Sequence, residues 1–170
     1  MRFNHDFQIH LSASTDAYRP HLNGVYLDAE KGRLVATNGT MLASVPCEVE
    51  HGDEAGILPA DAIKAARKVA GAKGEPGIAC NGSAAVHGGA SYPRDKDVQF
   101  PPYEKVVPAP SPEDEVVIGL DAALLLKLAK SIGSKGHVRL TIRKDDPLHP
   151  IRVEPTSGED AFGILMPVRV

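Results

Sequence analysis

At 170 residues, with 42% hydrophobic and 24% charged side chains, the chain is long enough to bury a core without disulfide or metal staples. A net charge of −3 excludes an overall basic field that would steer the whole molecule to nucleic acid, while leaving room for a local basic face. No apolar run approaches the ~20 residues of a membrane span, and MRFNHDFQIH lacks a signal-peptide pattern, so a cytoplasmic protein with no membrane partner is expected.

Residues 1–50 read as a β unit without a helix, and residues 1–15 are expected to form an edge strand open to pairing with a neighbour. GVYLDAEKGRLVAT gives strands around Val25–Leu27 and Leu34–Thr37, and NGT then turns the chain into Met41–Val45. Residues 51–112 change character. In GILPADAIKAARKVAGAKG a strand leads into a helix, with proline near its start and glycine after its end. Ile63, Ala66, Val69 and Ala70 share one helical face, and Lys64, Arg67 and Lys68 share another. GIACNGSAAVHGG reads as a hairpin turning on Asn81-Gly82, with one more strand before Asp95.

Residues 113–170 repeat that plan. EVVIGLDAALLLKLAKSIGSKG is again a strand and a helix, with Leu124, Leu128 and Ile132 toward the core and Lys127 and Lys130 on a different side. HVRLTIRKDD alternates Val138, Leu140 and Ile142 with Arg139, Thr141 and Arg143, the mark of a half-buried strand. PIRVEP and AFGILMPVRV supply the last two strands. The fold class is therefore α+β, with a strand–helix–three-strand unit repeated at roughly 55–60 residues after one helix-less β unit.

Catalysis finds no support in the pattern. There is no G-x-S-x-G, no phosphate-cradling G-x-x-x-x-G-K-[ST] and no G-x-G-x-x-G, and the histidines are scattered over turns and strands. Cys47 and Cys80 form no CxxC pair and read as reduced thiols. No catalytic residue, metal ligand or cofactor is assigned. The sequons at Asn38-Gly39-Thr40 and Asn81-Gly82-Ser83 read as tight turns.

Four stretches, in order, resemble one family. LNGVYLD, VATNGTMLA, FPPYEKVVP and ILMPVRV are similar to the LNG, VATDGHRLA, FPDYRRVIP and MPMRL or MPVRL patterns of the bacterial replicative sliding clamp, the beta subunit of DNA polymerase III. ILPADAIK resembles a helix start of that family, and the likeness runs from about residue 16 onward. Asn38, Thr40, Met41, Pro102 and Glu104 depart from the family pattern. A family chain has three domains of two units each. This one resembles its second domain without the first helix, followed by the second half of its third domain.

The resemblance implies a DNA-clamp-like fold and an apolar groove for the short peptides carried by DNA polymerase and other clamp-binding proteins. Carried over residue by residue, the groove walls are Leu22, Met41, Leu42, Val106, Met166, Pro167, Val168 and Val170, with Gly39, Pro101 and Ile164 beside them. Thr37, Lys105 and Arg169 would anchor polar ends of the peptide. Methionine suits such a surface because its flexible thioether adapts to different partners. Lys64, Arg67, Lys68, Lys127 and Lys130 would meet double-stranded DNA through its phosphates, without reading sequence. Four chains would supply the twelve units of a family ring, although a smaller homo-oligomer or a monomer is equally open. The implied function is a polymerase processivity factor or replication accessory protein, of a shortened kind that suits a phage or mobile element. The alternative is an adaptor or decoy that mimics the groove without holding DNA.

Overall fold

The computed structural model describes residues 1–95, 97–108, 116–157 and 161–169. It divides into two compact units, Met1–Val107 and Pro108–Val170.

In the first unit, β1 (Gly24–Asp28), β2 (Arg33–Thr37), β3 (Leu42–Pro46) and β4 (Gly56–Pro59) form an antiparallel sheet in the order β3-β2-β1-β4. This sheet runs across residue 50, where the sequence reading placed a boundary, because β4 pairs with β1 through Val25↔Leu58. Two-residue alternation puts Val25 and Leu27 inside and sends Tyr26 to the opposite face. Behind the sheet lies α1 (Ala60–Ala70), which buries Ala62, Ile63 and Ala66. The expected face is therefore turned slightly, since Val69 is half exposed and Ala62 takes a core place instead. Asp61 in the first turn complements the helix dipole, and Gly71 (φ 65°) ends the helix. A second sheet, β5 (Ile78–Ala79), β6 (Ser83–Val86) and β7 (Ser91–Pro93), adds Ile78, Ala84 and Val86 to the same core.

Residues 1–15 are not the expected edge strand. Met1, Phe3 and Ile9 are buried in the core, Arg2 makes only isolated bridges to Glu48 and Gly77, and Ile9–Ser12 is a short 3-10 turn. Arg67 fixes this segment, its Nε donating to the His5 carbonyl at 2.9 Å. The Met1 amine lies 2.5 Å from Asp53 Oδ2. Burial pushes the Asp53 carboxyl up, but hydrogen bonds from that amine and from the Cys80 and Glu50 N–H groups outweigh it and hold Asp53 below its usual range.

In the second unit, α2 (Ala122–Ser131) packs on an antiparallel sheet of β8 (Val138–Thr141), β9 (Ile151–Pro155) and β10 (Gly163–Leu165), in the order β10-β9-β8. Asp121 caps the helix, its carboxylate accepting from the N–H groups of Ala123 and Leu124 at 2.8 and 3.0 Å. The core here is Ile151, Val153 and Leu165, against which Leu125, Leu128 and Ile132 lean. Leu124, expected inside, is half exposed, and Leu125 takes its role. Of the strand expected before α2, the described residues form one bridge, Gly119↔Val168, with the Val168 N–H donating to the Gly119 carbonyl at 2.9 Å.

Candidate functional site: a hollow beside the β2–β3 turn

The β2–β3 hairpin is closed by its own side chains. Thr37 Oγ1 donates to the Met41 carbonyl at 2.7 Å and accepts from the Gly39 N–H at 3.1 Å. Asn38 Oδ1 accepts from the N–H groups of Thr40 and Met41. An aspartate would make the same acceptor bonds, so Asn38 keeps the turn chemistry of the pattern it departs from. Gly39 sits at φ +90°, a conformation L side chains rarely adopt. The turn thereby presents Met41, 48% exposed, with Leu42 beside it.

A second stretch reaches the same place from far along the chain. Phe100 stacks on Tyr26 with ring centroids 5.0 Å apart and an 8° interplanar angle, using the face that alternation freed. Tyr103 donates its hydroxyl to Asp28 Oδ2 at 2.8 Å, and Lys31 pairs with Glu104. Asp28 is only 8% exposed; the phenol serves its Oδ2, while the Lys31 N–H donates to its Oδ1 at 3.1 Å. Burial, then the bond to Asp28, pushes the Tyr103 phenol up to about 12. These contacts hold residues 100–106 against the outer face of the first sheet.

Between the hairpin and this stretch lies a hollow of about 420 Å³. Leu22, Leu42, Met41 and Val106 contribute apolar wall, and Phe100, Pro101 and Tyr103 line it as well. Gly39, Thr37, Thr40 and His21 border it. Of the residues singled out in the sequence, seven in this unit therefore meet at one cavity: Leu22, Thr37, Gly39, Met41, Leu42, Pro101 and Val106. Thr37 lines the hollow with its hydroxyl also engaged in the turn. Lys105 is exposed and does not line the hollow. The sequence reading missed Phe100 and Tyr103 as wall residues. The usable signal was Asp28, a carboxylate closing an otherwise apolar strand.

In the second unit the tail leaves β10 with Ile164, Met166 and Val168 exposed at 52%, 59% and 46%. Pro167 is half-buried and Arg169 exposed, while Val170 lies outside the described residues. The cations expected at DNA fare unequally. On α1, Lys68 is exposed, Lys64 pairs with Asp61 at 2.9 Å, and Arg67 is half-buried on His5. On α2, Lys127 and Lys130 are both exposed. Burial pushes both cysteine thiols up to about 11, as unreactive side chains. Among the described residues no group of three His, Cys, Asp or Glu side chains is placed to hold a metal, and no helix is long and apolar enough to cross a membrane.

This architecture is a DNA-sliding-clamp-like fold, two-helix and antiparallel-sheeted, of the kind seen in the bacterial beta clamps. The chain is similar to the beta sliding clamp of C. crescentus (22% identity, TM-score 0.66), covering 94% of this chain and 46% of that one. It is similar also to the DNA polymerase sliding clamp of Bacillus subtilis (15%, 0.62), covering 95% and 46%. A third is the DNA polymerase III subunit beta of Bartonella birtlesii bound to griselimycin (18%, 0.59), covering 98% and 63%. At these identities the likeness is one of fold, and the chain spans about half the length of the first of these clamps. No family model matches the sequence, and no curated protein matches it.

Proposed function

We propose that this chain is a sliding-clamp-like replication accessory protein that docks short apolar peptides of the clamp-binding kind in the hollow beside the β2–β3 turn. One observation carries the reading: LNG, ATNGTML and FPPYEKV, far apart in sequence, converge on one apolar cavity of about 420 Å³. That is within the ~300–1,000 Å³ range of ligand sites, with concave apolar walls and few polar groups. Leu22 and Leu42 line the cavity, Met41 adapts to the ligand, and the Tyr103–Asp28 bond keeps Tyr103 in its wall. The same reading assigns the exposed Ile164, Met166, Val168 and Arg169, with Pro167 and Val170, to contacts with the bound partner. Sequence-independent contact with duplex DNA through Lys64, Lys68, Lys127 and Lys130, and with it polymerase processivity, is the finer part of the proposal.

A fluorescent peptide carrying the clamp-binding segment of a bacterial polymerase, titrated into wild type, Met41→Glu and Met166→Glu, tests the docking. Saturable binding that Met41→Glu weakens at least about tenfold is expected. No binding, or equal binding by wild type and Met41→Glu, rejects the hollow. One observation favours the adaptor without DNA as a second reading: Lys64 is taken up by Asp61 and Arg67 by His5, which thins the cationic face of α1. Retention on nicked circular DNA above that on linear DNA would favour encirclement, and equal retention the adaptor.

A further inference from the structure

The second unit carries a hollow that the peptide-docking reading does not use. It measures about 410 Å³ and lies between α2, the turn after it and β8. Leu125, Leu126, Ala129 and Val138 supply its apolar surface, and Lys130 and Lys135 stand in its lining. Leu126 is 58% exposed, on a helix whose Leu125 and Leu128 lean on a core. The turn bearing Lys135 is held in shape by Ser134, whose hydroxyl donates to the His137 carbonyl at 2.8 Å and accepts from the Gly136 N–H. Lys135 is therefore carried on an ordered turn.

Charge distinguishes this hollow from an ordinary surface dent. Between Asp121 and Asp145 the sequence places Lys127, Lys130, Lys135, Arg139, Arg143 and Lys144 and no aspartate or glutamate, in a chain whose net charge is −3; of these, Arg143 pairs with Asp145. Among the described residues neither Lys130 nor Lys135 has a carboxylate partner. No acidic side chain among the described residues lines the cavity. An occupant must therefore bring an apolar group for Leu125, Leu126 and Val138 and anionic groups for the two lysines.

The geometry points to a second docking site, specific for an acidic peptide segment of a partner protein, with a leucine- or phenylalanine-like side chain in the hollow and flanking carboxylates on Lys130 and Lys135. Duplex DNA satisfies only half of that description. Its phosphates would meet the lysines, but Leu126 would lie against a charged, hydrated backbone and gain nothing from burial. A peptide gains from both, with the charges steering encounter and the apolar side chain slowing release.

The full chain carrying Met41→Glu, which removes the proposed groove on the other unit, is used to select binders from a random-peptide library. Recovered peptides are expected to place Asp or Glu beside a large apolar residue. Their affinity should fall about tenfold on Leu126→Ser and at least as much on the pair Lys130→Glu and Lys135→Glu. Replacing the peptide's acids with lysines should restore binding to that charge-reversed pair. Both substitutions are at exposed or rim positions and leave the small core of Ile151, Val153 and Leu165 untouched. The proposal is overturned if no peptide is recovered or if recovered peptides bind all variants alike. It is equally overturned if Leu126→Ser leaves the affinity of every recovered peptide unchanged, since the two lysines would then act by charge alone, as they would toward DNA phosphates.

Discussion

The two units solve the same packing problem to different extents. The first encloses α1 between a four-stranded sheet, a three-stranded sheet and the buried residues Met1, Phe3 and Ile9. The second sets α2 on three strands only, buries Ile151, Val153 and Leu165, and leaves no residue of α2 fully buried. A helix followed by the same succession of three antiparallel strands thus becomes core in one unit and half-open surface in the other. The difference comes from the covering layers, since apolar periodicity sets which side of a helix can be buried and neighbouring elements set whether it is.

That contrast can be broken most severely at Ile63. Ile63→Ala should cost about 2–5 kcal/mol, because a fully buried side chain would leave a cavity in a close-packed core. Leu125→Ala, at the half-buried counterpart on α2, should cost distinctly less. Urea unfolding of both variants gives the comparison, and equal losses would mean that the second unit is as tightly packed as the first. Tyr103→Phe comes next, with a loss of about 1–3 kcal/mol, since it strips Asp28 of its phenolic donor. It should also weaken peptide binding by loosening the wall of the hollow, which titration would detect.

The same phenol gives a pH signature. Its folded value is raised above the ordinary 10, to about 12, so the stability it contributes is complete below pH 10 and is lost as pH climbs from about 10 to 12. Absorbance near the phenolate band should show a phenol ionising well above the ordinary 10, and Tyr103→Phe should remove that late step. Asp53 works in the opposite sense. Its folded value is depressed, so its contribution is present above the ordinary carboxylate range and disappears as pH falls through it, a loss that Asp53→Asn should abolish. The smallest effect is expected from Asp121→Ala, about 1 kcal/mol, seen as weaker amide protection in the first turn of α2.

Local signals were legible where the chemistry is local. The turns at Gly32, Gly39 and Gly82 each carry positive φ, and the hairpins they close fall where the sequence places them. Both helices were legible from their punctuation, but their rotation was not. Leu124 and Leu125 are adjacent, and only the position of β9 and β10 decides which one is covered. Residues 1–15 lacked periodicity because they pack as single anchors, Met1, Phe3 and Ile9, rather than as a strand. EVVIGLD has the composition of a strand, yet among its described residues, 116–121, it makes one bridge, at Gly119. For the candidate site, the hairpin half could be read from VATNGTMLA. The Tyr103–Asp28 and Phe100–Tyr26 contacts could not, because partners more than seventy residues apart leave no spacing to count.

The three methionines provide the most direct measurement of the central claim. Met1 is fully buried in the first core, Met41 lies at the hollow, and Met166 is on the exposed tail. With methyl-labelled methionine, adding the polymerase-derived peptide should move the Met41 signal strongly and leave Met1 in place. A saturated complex in which Met41 does not move would contradict docking at the hollow.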